Sequence, residues 1–257
     1  ALIIGNQNYI NNKPLKNPIN DVNLISNRLK KLNFKIIKAK NKDHKALVKS
    51  LRNFNDSLST GDTALVYYSG HGLQFNNDNY LVPTDANIEL ASEIPYQTIS
   101  SHQVLSYMEK ANVKILILDA CRNNPYLTGT KSIGKGLKKV DLTQSDNTLV
   151  AFAASPNQQA LDGDGKYSPY ATALNIALQT KGKTLEQIFK HVRKKVYLST
   201  LGKQTPWYNA SLEDDIYLNG NILDTMSLNN NISTVELELT YWNSIKNTNI
   251  ASYFQSY

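Results

Sequence analysis

One cysteine and a histidine fifty positions before it are the residues best suited to chemistry in this chain. Cys121 is the sole cysteine, and it ends the apolar run Lys-Ile-Leu-Ile-Leu-Asp-Ala-Cys-Arg over 114–122. His71 follows a second apolar run, Ala-Leu-Val-Tyr-Tyr over 64–68, within Ser-Gly-His-Gly at 69–72. A free thiol titrates at about 8.5 and only its thiolate is a strong nucleophile. An adjacent imidazole that takes the thiol proton therefore activates it. A lone cysteine is more often a small buried hydrophobe, and a lone histidine is more often structural. Here Asp119 and Arg122 give Cys121 a polar setting, and glycines on both sides of His71 suit close backbone approach or unusual dihedrals. The pair reads as a nucleophile and its base.

Two strands must deliver them. Each apolar run has the length and composition of a buried strand bounded by turn residues. In an open α/β sheet, chemistry collects at the carboxyl edge of parallel strands. The rest of the chain supplies such a sheet. A strand at 1–4 and a loop at 5–19 precede a helix with Asn20 as N-cap and Val22, Ile25, Leu29 and Leu32 on one face. Residues 34–38 alternate as a second strand, and Asp43 caps a helix striped by Leu47, Leu51, Phe54 and Leu58. A hairpin spans 73–82, and Ser100 or Ser101 opens a helix carrying Val104, Leu105 and Met108. Residues 122–147 lack periodicity, which marks a long loop as functional or disordered. A fifth strand at 148–153, helices around 170–179 and 185–198, and a short last strand at 216–218 complete the pattern. This alternation predicts an α/β fold: a mostly parallel sheet of about six strands with helices on both faces. An Asn-rich linker at 219–232 leads to 233–257, the start of a helical extension containing Trp242.

Composition narrows the function. The net charge of +7 comes from lysines spread along all 257 residues, so it predicts a solvated surface. Basic stretches interleaved with aromatics are missing, which argues against nucleic-acid binding. One cysteine excludes an intramolecular disulfide and a multi-cysteine zinc site. No run reaches the roughly 18 apolar residues of a membrane span. No signal peptide is visible, and a cytoplasmic location is the expectation. The chain opens directly on a strand and stops at Tyr257 within a helical pattern, so a fragment of a longer protein is expected.

Tyr67-Tyr68-Ser69-Gly70-His71-Gly72 and Leu118-Asp119-Ala120-Cys121-Arg122 resemble the two signature blocks of caspase-like cysteine peptidases. The resemblance runs from Ala1 to about residue 218 and includes Asp162-Gly163-Asp164-Gly165 and Gln204-Thr205-Pro206-Trp207. It is strongest to the bacterial metacaspase (orthocaspase) and paracaspase branch. Animal caspases carry Gln-Ala-Cys-Arg-Gly, with the histidine about fifty residues upstream; here Asp119 replaces the Gln and Asn123 the Gly.

The resemblance implies a caspase-like three-layer sandwich and a cysteine endopeptidase with a Cys121–His71 dyad. It implies backbone N–H groups of Gly72 and Cys121 as the oxyanion hole, and histidine orientation through backbone groups. An acidic residue at position 119 lines the S1 pocket in that branch, and a second pocket acid matches Asp21. A basic P1 residue, Arg or Lys, is thereby implied, since paired carboxylates in a desolvated pocket call for a cation. Asp21 could instead complement the helix dipole, and Asp119 could be structural. Asp162 is a third pocket candidate, balanced against a loop role. Trp207 and Tyr208 are candidates for further subsites, against ordinary core packing. His44, His102 and His191 read as surface residues. Asp162-Gly-Asp-Gly lacks EF-hand ligand spacing, so no metal or cofactor is expected, although calcium activation of some metacaspases leaves that point open. The expected partners are protein or peptide substrates. Self-cleavage within 122–147, at Lys131, Lys135, Lys138 or Lys139, is a further expectation. The competing function is a caspase-fold scaffold whose site has lapsed.

Overall fold

In the computed structural model, residues 1–76, 78–121, 140, 142, 146–155 and 158–220 are described, Cys121 through its backbone. The expected processing lysines, most of the linker and the helical extension lie outside the described residues.

Six strands form one sheet in the order β2-β1-β3-β6-β7-β8. They are β1 (Leu2–Gly5), β2 (Ile37–Lys40), β3 (Thr63–Phe75), β6 (Val113–Cys121), β7 (Thr148–Phe152) and β8 (Trp207–Ala210). The first five in that order run parallel, and β8 closes the edge antiparallel to β7. Two short strands, β4 (Asp78–Leu81) and β5 (Ile99–Ser100), extend the far end of β3 as an antiparallel flap. The sheet is the mostly parallel, six-stranded one expected.

Strand periodicity sorts side chains to two faces. Ile3, Leu65, Tyr67, Ile115, Ile117 and Leu149 pack against α1 (Pro18–Lys30), α5 (Pro169–Ala177) and α6 (Leu185–Ser199). Ile4, Val66, Tyr68, Leu116, Leu118 and Val150 pack against α2 (His44–Asp56) and α4 (Ser101–Ser106). One further turn, α3 (Ile94–Gln97), belongs to the flap. These are helices on both faces of a sheet, the three-layer arrangement. Among the described residues no helix is long and apolar enough to cross a membrane.

Caps explain most helix starts. Asp43 accepts from the Ala46 N–H, and Ser100, Ser168 and Thr184 do the same for α4, α5 and α6. Three boundaries differ from the sequence reading. First, α1 begins at Pro18, ahead of Asn20, because proline at the first helical position has its φ preset and no N–H to satisfy. Second, β2 is Ile37–Lys40 and not 34–38, because Asn33 turns at φ 64° and the Phe34 N–H still bonds back to Leu29. Third, 216–218 makes only an isolated bridge, Tyr217 to Thr184, and the last strand is the Trp-Tyr-Asn-Ala stretch before it.

Gly5 sets the distance between β1 and α1. A Cβ there would stand 2.5 Å from Val22 Cγ2 and 2.8 Å from the Pro18 carbonyl oxygen. Overpacking of this kind typically costs about 1–3 kcal/mol. Gly5→Ala should therefore lower stability by that order in urea unfolding. An unchanged midpoint would show that α1 can move away freely.

Candidate active site

The pairing of β3 with β6 brings the candidate nucleophile and base together. Their register runs from Thr63↔Val113 to Ser69↔Asp119, Gly70↔Ala120 and His71↔Cys121. Neighbouring strands lie about 4.8 Å apart, so the backbones of His71 and Cys121 are side by side. Beyond this point β3 turns to β4 for its partner, with Gly72 opposite Leu81. The two residues thus sit where the parallel sheet ends and the flap begins.

His71 is held on all sides. It is 6% exposed, and its Nε2 lies 2.8 Å from the Lys13 carbonyl oxygen. A carbonyl only accepts, so Nε2 carries the proton and Nδ1 is the basic nitrogen. Nδ1 is buried and has no hydrogen-bond partner among the described residues. The His71 N–H donates to the Tyr9 hydroxyl at 2.7 Å, and the Tyr9 ring tilts over the imidazole at 4.4 Å. The Tyr68 hydroxyl donates to the His71 carbonyl at 2.6 Å. Gly70 makes room for both phenols: a Cβ there would lie 2.6 Å from the Tyr68 oxygen and 2.7 Å from that of Tyr9. Burial lowers the His71 pKa, while the Lys13 carbonyl and the charge of Asp162 oppose that shift. The imidazole is neutral at neutral pH and can accept a proton.

A pair of buried carboxyl groups lies on the same sheet face. Asp119 is 5% exposed, and one of its oxygens accepts from the Tyr67 hydroxyl at 2.9 Å and from Ser168 Oγ at 2.6 Å. Asp21, fully buried, accepts from Ser69 Oγ at 3.2 Å and from the Ser168 N–H at 3.0 Å. Ser168 bridges the two acids while its Oγ also caps α5 through the Ala171 N–H. Asp21 is in the first turn of α1, but its oxygens bond to β3 and to the start of α5. A helix-dipole role alone does not account for that. Among the described residues no lysine or arginine forms an ion pair with either acid. Burial, then the charge of Asp119, pushes Asp21 up to about 8. Burial also raises Asp119, to about 6, against the hydrogen bonds from Ser168 and Tyr67. At neutral pH the pair shares one proton.

The other candidates fall in different places. Asp162 lies in the loop before α5, and its two oxygens accept from the Lys16 and Asn17 N–H groups. Its charge still raises both buried acids. Trp207 stacks on Phe152 at 4.6 Å, and its Nε1 is buried with no partner among the described residues. Tyr208 points to the opposite sheet face, 6.0 Å from Phe189, with its hydroxyl bonded to Glu186. The two rings thus lie on opposite faces of the sheet. His102 pairs with Asp78 at 3.0 Å, His44 opens α2 and His191 is exposed on α6.

Sequence reasoning missed several participants. The Lys13 carbonyl has no side-chain signature. Tyr9 stands alone in a loop. Ser168 was findable, because Ser-Pro before an apolar helix marks an N-cap.

The family model of the caspase domain matches residues 1–217. Human mucosa-associated lymphoid tissue lymphoma translocation protein 1 is 30% identical over 140 residues, covering 54% of this chain and 17% of that protein. The mouse homolog is 29% identical over 140 residues, covering 54% of this chain and 16% of its own length. The chain thus matches a small part of these relatives.

The raised acid has a consequence for stability. Between pH 4 and pH 8 the folded protein keeps a proton on Asp21 that the unfolded chain has lost. The folded state binds more protons over that window, so stability falls as pH rises through it. Asp21→Asn removes the penalty. Its melting temperature should exceed the wild type's at pH 8 and converge with it near pH 4. A variant less stable than wild type at pH 8 would overturn the protonation assignment.

Proposed function

The chain belongs to the caspase-domain family of cysteine-type peptidases, and from that premise we propose that it hydrolyses peptide bonds after Arg or Lys through Cys121 and His71. One observation carries the specificity: two buried carboxyl groups, with Asp119 two residues before Cys121 on β6, have no cation paired to them among the described residues. An arginine or lysine side chain entering there meets preformed acceptors, and its charge displaces the proton that the pair shares. Guanidinium suits the site because it can bind carboxylates bidentately. An aspartate at P1 would bring a further negative charge against the acidic pair and be rejected.

His71 Nδ1 takes the Cys121 thiol proton as the sulfur attacks the scissile carbonyl carbon, forming the S–C bond. The oxyanion is met by the N–H groups of Gly72 and Cys121, and removing one such donor typically costs about a hundredfold or more. The tetrahedral species collapses as the C–N bond breaks, and imidazolium returns its proton to the leaving amine. Water, deprotonated by the same nitrogen, then cleaves the thioester to the carboxylic acid and regenerates the thiol. The bond from His71 Nε2 to the Lys13 carbonyl supports this cycle by keeping the basic nitrogen at Nδ1.

Fluorogenic peptides ending in Arg, Lys or Asp provide the test. Wild type should cleave the first two, Cys121→Ala should be inactive and His71→Ala nearly so. Asp119→Asn should lose at least about tenfold in kcat/KM on Arg substrates, since removing one partner of a buried charge pair typically costs about 2–5 kcal/mol. A preference for Asp at P1 would refute the pocket assignment, and an inert wild type would favour the lapsed scaffold.

The same specificity extends to the chain itself. Lys131, Lys135, Lys138 and Lys139 follow the nucleophile in sequence and are the residue type the pocket accepts. Intact-mass analysis should find fragments ending at one of them in wild type and none in Cys121→Ala. Full activity in an uncut wild type would show that processing is dispensable.

A further inference from the structure

The loop 6–17 carries both groups that hold His71 from outside the sheet, the Tyr9 hydroxyl and the Lys13 carbonyl. Its first part is tied firmly. The Gln7 and Asn8 N–H groups donate to Asn41 Oδ1, the Ile10 N–H donates to the Thr84 carbonyl, and Asn11 Nδ2 reaches the Asp85 and Ala86 carbonyls. Past Lys13 the Leu15 N–H donates back to the Gln7 carbonyl at 3.0 Å, and the next two residues are tied to a stretch of chain about 146 residues away. The Lys16 and Asn17 N–H groups donate one to each oxygen of Asp162. Asn17 Nδ2 returns bonds to the Asp162 carbonyl at 2.6 Å and the Gly163 carbonyl at 3.2 Å, and Lys16 Nζ donates to the Asp164 carbonyl. Lys13 thus lies between an anchor at Asn11 and the anchored run Leu15–Lys16–Asn17. Three residues reach at most about 10 Å, so the Asp162 anchor acts within a short span of the Lys13 carbonyl.

We propose that Asp162 is a positioning residue for His71, acting through residues 16–17 and the Lys13 carbonyl, as well as an acid beside the pocket. Both of its oxygens are already engaged by backbone N–H groups, which is the arrangement of a clamp. The glycine after it is part of the device. Gly163 has φ 83°, where a side chain is strained, and a Cβ would come within 3.0 Å of the Tyr167 carbonyl and 3.1 Å of Pro169 Cδ. The charge of Asp162 also raises the His71 pKa against burial, so loss of the clamp and loss of the charge both act on the imidazole. The kinetic consequences rest on the dyad proposed above; the anchoring of His71 does not.

Three variants of the full chain separate this role from a pocket role. Asp162→Asn removes the charge and one acceptor, Gly163→Ala disturbs the same turn without changing charge, and Asp119→Asn is the pocket control. The measurements are kcat and KM on an Arg peptide, the rate of Cys121 alkylation by iodoacetamide across pH, and the NMR titration of the His71 ring. Iodoacetamide needs no P1 pocket. A misplacement of about 1 Å can cost on the order of a hundredfold. Asp162→Asn and Gly163→Ala should each lower kcat about tenfold or more with KM within about threefold, and slow alkylation in parallel. Asp162→Asn should also lower the His71 titration midpoint. Asp119→Asn should raise KM and leave alkylation unchanged. If Asp162→Asn raises KM but preserves kcat and alkylation, the clamp is refuted and Asp162 is a pocket acid alone. A folded Gly163→Ala with wild-type kcat and alkylation refutes it equally, and if that variant does not fold, Asp162→Asn decides. Should wild type cleave no peptide, the proposed activity fails, while the His71 titration in Gly163→Ala, which keeps the charge of Asp162, still decides the clamp: a shifted midpoint supports it and an unchanged one refutes it.

Discussion

Everything in the site hangs on the register between β3 and β6. Nine consecutive pairs, from Thr63↔Val113 to His71↔Cys121, zip the two central strands together. A slip of one residue would turn each side chain of one strand to the other face. Tyr67 would leave the α1–α5 core and Tyr68 the α2–α4 core, so the hydrophobic pattern of both runs forbids it. The same constraint places Ser69 opposite Asp119 and His71 opposite Cys121. Chemical alignment here is a by-product of core packing.

The neighbourhood of that register is costly to fold. Asp21 and Asp119 are desolvated, and the charge of Asp119 raises Asp21's affinity for a proton, yet Ser69, Ser168 and Tyr67 supply hydrogen bonds that hold them in place. A core built for stability alone would put apolar groups there. Retaining a half-neutralised acidic pair makes sense where an incoming cation completes the charge balance. Under the proposed specificity, stability and recognition are opposed at this point, as is common at functional sites.

The succession of strands along the chain and the two-face sandwich were legible because apolar runs such as 114–118 and 64–68 are unambiguous and caps such as Asp43 and Thr184 have local signatures. The side-by-side placement of His71 and Cys121 was legible because each follows one of those runs. The start of α1 was misjudged because Asn20 fits a cap rule locally, whereas Pro18 preempts it. The last strand was misplaced because Trp207–Ala210 is only half-buried, and its pairing with β7 is a long-range choice. The environment of His71 was the least legible part. It is assembled from a backbone oxygen at Lys13, a phenol at Tyr9 and a turn at Asp162, which come together only through the fold.

The use of a backbone oxygen to hold the imidazole has an evolutionary consequence. The side chain at position 13 takes no part in the bond, so almost any residue could occupy it without disturbing His71. Drift there would look like neutrality, although the oxygen is indispensable to the tautomer. What cannot vary is chain length between Asn11 and Lys16. One residue gained or lost in that span would carry the carbonyl past the ring. The damaging lesions in this loop are insertions and deletions, and a scan of substitutions would miss them.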